Sequence, residues 1–239
     1  KSLLSVRSRL REFWRMLFQR VPFFDPFVLL TLYKSDVIHV GNQATANILP
    51  RFVRGKCRVK QDFLQVDPAD FRIAEARNTV AVQPDCLKLF YTGKLLEWKG
   101  VMLVLRALAK LPSDVKYSFT IMGVGPALEF YRGYVEAHNL NVVFLKPNGV
   151  PRADLSFYFL SHDLFVFPTL HGEGGFAPVE AKVHGMRLLT LDSSGLDFVL
   201  QSEDICIATK DKQADEVVTA ISQEIENLYD RLKCRIMPA

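Results

Sequence analysis

Four loops of the sequence hold residues that could bind an anionic, hydroxylated ligand, and each follows an apolar run that predicts a strand. The first loop carries Lys94 and Lys99 directly before a predicted helix. A helix N-terminus favours anions through its free N–H groups and its dipole, so two ammonium groups beside it would suit a diphosphate. Two solvated lysines in an exposed turn are the alternative interpretation.

The fourth loop is the richest in chemistry. His171 precedes a glycine-rich turn that includes Gly174 and Gly175 and opens a predicted helix. Glycines allow a ligand to approach the backbone closely. Glu173 and Glu180 could accept hydrogen bonds from hydroxyls at two ends of one polar molecule, whereas solvated surface carboxylates are the alternative. His171 is either a contact of this ligand or a hydrogen-bonded scaffold residue.

The second and third loops are less specific. Gly123 and Gly125 form a Gly-x-Gly pair, but Leu128 stands where a dinucleotide fingerprint has its third glycine. A tight turn from strand into helix therefore explains them better. The third loop, residues 146–151 with Asn148, holds turn residues that could line one face of a planar base.

The elements that must position these loops alternate regularly from Leu87 onwards. Strands are predicted at residues 87–91, 117–122, 142–145, 164–167 and 188–191. Helices are predicted at residues 101–111, 128–138, 155–160, 177–184 and 213–233. Upstream, the patterns predict strands at 36–40 and 57–64 and a helix at 44–51. Such alternation predicts an α/β fold with a doubly wound parallel sheet, which binds ligands at the carboxyl ends of its strands.

Composition excludes several classes of protein. The chain has 239 residues, of which 49% are hydrophobic and 23% charged, and this rules out a disordered or collagenous polymer. Its four cysteines are scattered without a Cys-x-x-Cys pair, which argues against a disulfide scaffold and zinc and fits a reducing, cytoplasmic compartment. The chain begins with Lys1 rather than Met, so we expect it to be part of a longer protein.

The positive charge is concentrated at the N-terminus. Residues 1–20 hold six Lys and Arg residues against Glu12, so the remaining 219 residues of this +4 chain sum to −1. This distribution does not indicate nucleic-acid binding. Apolar residues recur at helical spacing across residues 1–21 until Pro22, which predicts a basic amphipathic helix. It either lies on an anionic membrane surface or packs on its own protein.

At these loops the sequence resembles the donor-binding half of a GT-B glycosyltransferase of the retaining family 4. Residues 91–100, Tyr-Thr-Gly-Lys-Leu-Leu-Glu-Trp-Lys-Gly, are similar to the Gly-Arg-Leu…Lys-Gly signature of that family, with Lys94 where Arg is usual. Residues 171–185 resemble its two-glutamate motif and the helix that follows. Residues 36–46 resemble the segment that leads from the acceptor half into the donor half, and the likeness spans residues 34–210.

The resemblance implies a Rossmann-like donor domain and a role for each site residue. Lys94 and Lys99 would neutralise the diphosphate of a nucleotide-diphosphate sugar without a metal or another cofactor, and Glu173 would hold sugar hydroxyls. Glu180 would accept hydrogen bonds from the ribose. The donor-binding residues that it implies are Gly93, Asn148, Gly174, Gly175, Phe176, Ala177 and Glu180.

The sequence departs from the family pattern between the two glutamates. Six residues separate Glu173 from Glu180 where the family usually has seven, and Gly172 occupies the usual place of the first carboxylate. We expect the chain to hold mainly the donor half of a transferase that acts on a glycan or a lipid-linked acceptor. Four segments are predicted: a basic helix and connector (1–33), an interdomain segment (34–86), the nucleotide-sugar domain (87–210) and a C-terminal helix (211–239).

Two other classes of function compete with a transferase. One is another enzyme, either a GT-B-like nucleotide-sugar epimerase or a Rossmann oxidoreductase. The missing third glycine and the lack of an acidic residue after a second strand argue against nicotinamide binding. The other is a non-catalytic module that binds a nucleotide or a membrane.

Overall fold

The computed structural model describes residues 10, 13–14, 17–18, 24–41, 43–60, 86–145, 152–171, 175–196 and 199–234. Its N-terminal part contains helix α1 (Pro26–Lys34), strand β1 (Ile38–Val40), helix α2 (Gln43–Ile48), a 3₁₀ helix (Arg51–Lys56) and strand β2 (Cys57–Val59). The two strands pair in parallel, with Ile38 opposite Cys57. Asp25 caps α1 by accepting a hydrogen bond from the Phe27 N–H at 2.8 Å.

The larger unit follows with six strands and five helices in the described residues. They are β3 (Leu87–Thr92), α3 (Val101–Leu108), β4 (Tyr117–Met122), α4 (Leu128–Ala137), β5 (Val142–Leu145), α5 (Arg152–Ser161), β6 (Leu164–Phe167), α6 (Phe176–Val183), β7 (Arg187–Leu191), β8 (Ile205–Ile207) and α7 (Ala214–Cys234). Short 3₁₀ helices cover Glu97–Lys99 and Asp192–Ser194.

The six strands form one parallel sheet in the order β5-β4-β3-β6-β7-β8. The chain moves outward from β3 in one direction and from β6 in the other, so the sheet is doubly wound, as the sequence predicts. The direction of winding changes between β3 and β6. A crevice opens at such a point, beside the carboxyl ends of the two strands.

Helices cover both faces of this sheet, which is why its strands are almost continuously apolar. On one face α3, α4 and α7 bury a cluster that includes Leu89, Tyr91 and Ile221. On the other face α5 and α6 pack over a cluster that includes Phe90 and Phe165. Helix α7 is therefore part of the core of the sheet unit.

Most predicted elements are found within one to three residues of their expected ends. The strands at 117–122, 142–145 and 164–167 match fully. The helix expected at 44–51 is instead the shorter α2 followed by the 3₁₀ helix, because Pro50 removes a backbone donor between them. The strand expected at 57–64 ends at Val59, and residues 61–64 of that prediction lie outside the described residues. The sequence patterns predict neither α1 nor β8.

Candidate functional site

The first and fourth loops follow the carboxyl ends of β3 and β6, where a doubly wound sheet of this strand order binds its ligands. These two strands are hydrogen-bonded neighbours, with Phe90 opposite Phe165. From Thr92 the chain turns into the loop that leads to α3, and from Phe167 it turns into the loop that leads to α6. The residues that follow both strands therefore meet at one edge of the sheet.

The second loop supports the first through backbone contacts. The Gly93 N–H donates to the Met122 carbonyl at 3.0 Å, and the Leu95 N–H donates to the Val124 carbonyl at 2.9 Å. A Cβ on Gly123 would lie 2.1 Å from the Gly93 oxygen, and one on Gly125 would lie 2.3 Å from the Leu95 oxygen. The Gly-x-Gly pair thus lets two loops pack backbone against backbone.

Two buried tyrosines hold the first loop through hydrogen bonds to its backbone. The Tyr91 hydroxyl donates to the carbonyl of Lys94 at 3.0 Å, and the Tyr131 hydroxyl donates to the carbonyl of Leu96 at 3.3 Å. Burial is the main cause that raises the pKa of both phenols. Repulsion adds to it, from Tyr131 on the Tyr91 phenolate and from Glu97 on the Tyr131 phenolate. Both hydroxyls are therefore neutral donors at physiological pH, while the Lys94 side chain is exposed.

Lys99 lies between aromatic rings at the carboxyl end of β6. Its ammonium nitrogen is 4.2 Å from the centroid of the Trp98 ring and 5.4 Å from that of Phe167. The Trp98 ring is in turn 5.4 Å from the ring of His171. The structure thus brings Lys99 and His171, which come from different loops, to one cluster.

The helix that carries Glu180 begins beside this cluster. Gly175 is the N-cap of α6 and has no side chain that could cap the N–H groups of the first turn, which starts with Phe176 and Ala177. A Cβ on Gly175 would lie 3.2 Å from the Phe167 ring, so the helix start is packed against the end of β6. Glu180 is half-buried in the second turn.

Helix α6 is anchored at its other end by a buried ion pair. The Lys182 ammonium lies 2.9 Å from the carboxylate of Asp204, and both side chains are buried. The same carboxylate accepts hydrogen bonds from the N–H groups of Leu188 and Gln201, each at 2.8 Å. These bonds hold the helix against β7 and the segment before β8.

Comparison with known proteins assigns the family. The family described as glycosyl transferases group 1 matches residues 73–235 of this chain, which is more than half of its 239 residues. The chain belongs to the group 1 glycosyl transferases. This group 1 glycosyl transferase chain is 23% identical over 209 residues to an uncharacterized glycosyltransferase of Methanocaldococcus jannaschii, covering 83% of this chain and 53% of the relative.

Solved structures share the fold of this group 1 chain. It is similar to WaaG, a glycosyltransferase involved in lipopolysaccharide biosynthesis, with a TM-score of 0.59, 17% identity, and coverage of 82% of this chain and 55% of WaaG. It is also similar to HepE of Anabaena in complex with UDP, with a TM-score of 0.56, 16% identity, and coverage of 87% and 64%. The chain spans about half the length of the curated relatives that it matches.

Several predicted site residues of this group 1 chain lie outside the described residues. Glu173, Gly174 and Asn148 are among them, and their roles stay predictions. Within the described ranges, no group of three or more His, Cys, Asp or Glu side chains could hold a metal ion. No helix there combines the length and the apolar composition that crossing a bilayer requires.

Three residues that hold the first loop and its Lys99 in place were not among the predicted site residues. Tyr91, Tyr131 and Phe167 read only as core positions, because each lies in an apolar strand or on an apolar helix face. Trp98 had a signal that could have singled it out: a large aromatic residue between two charged residues of a polar loop. Such a side chain usually packs against a nearby element or a ligand.

Proposed function

We propose that this chain is the donor half of a retaining glycosyltransferase that takes a nucleotide-diphosphate sugar. One observation carries the proposal: Lys99 and the N-terminus of α6, whose N-cap Gly175 has no side chain, lie at the edge of the sheet where β3 and β6 end. A cation and free helix amides on two sides of one crevice suit a diphosphate. Glu180, one turn further along α6, accepts hydrogen bonds from the ribose hydroxyls.

The same groups account for how the reaction is promoted. Negative charge grows on the diphosphate as the bond to the sugar breaks, and the ammonium groups of Lys94 and Lys99 neutralise it. No metal or other cofactor is needed for this role. Glu173 holds sugar hydroxyls, and the backbone around Gly93 and Gly174 lines the phosphate and the sugar. The acceptor is a glycan or a lipid-linked sugar.

UDP is the first ligand to test, because solved structures of the similar HepE hold UDP and UDP-glucose. Titration calorimetry should show UDP or another nucleoside diphosphate binding, with no change when EDTA is added. Removing either cation, by Lys94→Ala or Lys99→Ala, should lower the affinity roughly tenfold, because each loses a charge-assisted contact. Lys116→Ala is the matched control, since Lys116 is exposed at the opposite, amino end of β4.

Two results would contradict this proposal. Absence of heat with all nucleoside diphosphates would remove the ligand, and binding of NAD in their place would favour an oxidoreductase. Incubation of the full-length protein with labelled donor sugars separates the remaining candidates. Transfer with retained anomeric configuration supports the proposal, sugar isomerised without transfer indicates an epimerase, and no turnover indicates a non-catalytic binding module.

We also propose that residues 1–21 hold the protein at the inner face of an anionic membrane. The support comes from five large apolar residues at helical spacing, whose exposed fractions range from 44% to 64%: Leu10, Phe13, Trp14, Leu17 and Phe18. Aromatic and aliphatic side chains beside several arginines are typical of helices in a membrane interface.

Vesicle flotation tests the membrane proposal. The full chain should float with vesicles that contain phosphatidylglycerol. It should stay unbound at the bottom of the gradient when the vesicles are pure phosphatidylcholine. The double variant Trp14→Ser/Phe18→Ser keeps every arginine, so a loss of flotation in it assigns binding to the apolar face. Equal flotation of the full chain and a chain lacking residues 1–21 would contradict the proposal.

A further inference from the structure

Two aromatic rings of the protein hold the ammonium of Lys99. It lies over two aromatic faces, Trp98 at 4.2 Å and Phe167 at 5.4 Å, and cations within about 6 Å of a ring centroid are attracted to it. A lysine has a long, flexible stem, so an unheld ammonium would have to be ordered on binding. The two rings remove much of that freedom in advance.

Trp98 is itself positioned by the fourth loop. Its carbonyl accepts a hydrogen bond from the Leu170 N–H at 2.9 Å, and its ring packs against His171. The backbone two residues after Trp98, at Gly100, also contacts the fourth loop. Gly100 adopts a left-handed conformation, with φ +73°, and a Cβ there would lie 1.9 Å from the Pro168 oxygen. Trp98 is therefore fixed to the loop after β6, although it belongs to the loop after β3.

We propose that Trp98 is a positioning residue of the nucleotide site: its indole holds the Lys99 ammonium at the crevice, in a place set by the fourth loop. This inference rests on the proposed function, in which Lys99 contacts the diphosphate. In this role Trp98 acts through Lys99. A phenylalanine offers a smaller aromatic face with the same kind of attraction, whereas a leucine offers none.

A double-mutant cycle on UDP affinity tests this role. Trp98→Leu should weaken UDP binding about tenfold, and Trp98→Phe should retain most of the affinity, because only the leucine lacks an aromatic face. In a Lys99→Ala background, Trp98→Leu should have little further effect, since the group that it positions is gone. Melting temperatures of all variants, measured without UDP, show that each is folded.

The outcomes separate this inference from the proposed function. If Lys99→Ala binds UDP as well as the unchanged chain, the diphosphate role of Lys99 is wrong and the role of Trp98 falls with it. If Lys99→Ala weakens binding but Trp98→Leu is equally damaging with or without Lys99, only the positioning role is wrong. An equal loss of affinity in Trp98→Phe and Trp98→Leu would also overturn it, because the aromatic face would not matter.

Discussion

Helices α1 and α3 are about equally apolar, yet they have opposite environments. Six of the eight residues of α3 are buried, because the helix packs on the sheet beside α4 and α7. None of the nine residues of α1 is buried, and Phe27, Leu30 and Tyr33 are each more than half exposed. Both apolar segments therefore form helices, but the apolar side chains are buried only where the helix packs on a second layer of structure.

The polar anchors of the two regions differ in the same way. Asp25 caps α1 with a single hydrogen bond in an exposed position. Asp204 is buried and binds Lys182 as well as two backbone N–H groups. A carboxylate in water can be replaced at little cost, whereas a buried one with three partners cannot.

Matched leucine substitutions should give the largest contrast between the regions. Leu105→Ala in α3 should lower the free energy of unfolding by about 2–5 kcal/mol, because it empties a fully buried site. Leu30→Ala in α1 should change it by no more than about 0.5 kcal/mol. Urea denaturation followed by circular dichroism measures both. Similar losses for the two variants would show that α1 is covered in solution and would break the comparison.

Matched aspartate substitutions should give a smaller contrast. Asp204→Asn should cost roughly 1–3 kcal/mol of unfolding free energy, because the buried Lys182 ammonium then faces a neutral amide. Asp25→Asn should be nearly neutral, since asparagine caps helices about as well as aspartate. The same denaturation experiment applies, and a neutral Asp204→Asn would mean that the ion pair does not anchor α6.

Alkaline stability should separate the tyrosines of the two regions. Burial raises the pKa of Tyr91 above its ordinary value of about 10, so the phenol stays protonated in the folded chain while unfolded chains ionise. The stabilisation is complete below about pH 10 and is lost as the pH rises from there towards the folded-state pKa, at up to about 1.4 kcal/mol per pH unit for each such tyrosine.

The test compares the pH slopes of unfolding free energy between pH 9 and pH 11. Tyr91→Phe should reduce the slope by the share of one tyrosine. Tyr33→Phe removes a hydroxyl from the exposed face of α1 and serves as the control. If Tyr91→Phe leaves the slope unchanged, the Tyr91 hydroxyl is not the buried donor to Lys94 that the structure describes.

The sequence predicts an element well when local signals define it, or when the element is a strand buried on both faces of the sheet. Strand β6 is apolar throughout and was predicted to the residue. Strand β8 has only three residues and an exposed Cys206 in the middle, so its strand character depends on pairing with β7, which no local pattern reveals. Helix α1 has a start signal in the sequence, since Asp25 is its N-cap and Pro26 its first residue.

The sequence predicts which loops form the candidate site and at which edge of the sheet they meet. Lysines and glycines next to predicted strands indicated the first and fourth loops, because the carboxyl ends of parallel strands share one edge. The contacts of Trp98 were not predictable. They depend on the approach of Leu170 and His171, which are more than seventy residues away along the chain.

Gly123 and Gly125 pack against the backbone of the first loop. The residues that give this loop its shape are therefore different from Lys94, whose side chain the loop exposes. The backbone around Lys94 is held by Met122, Val124 and the two tyrosines, and none of these holds on to the lysine side chain. Position 94 can therefore change to arginine, or to a neutral residue, without a change in the shape of the loop.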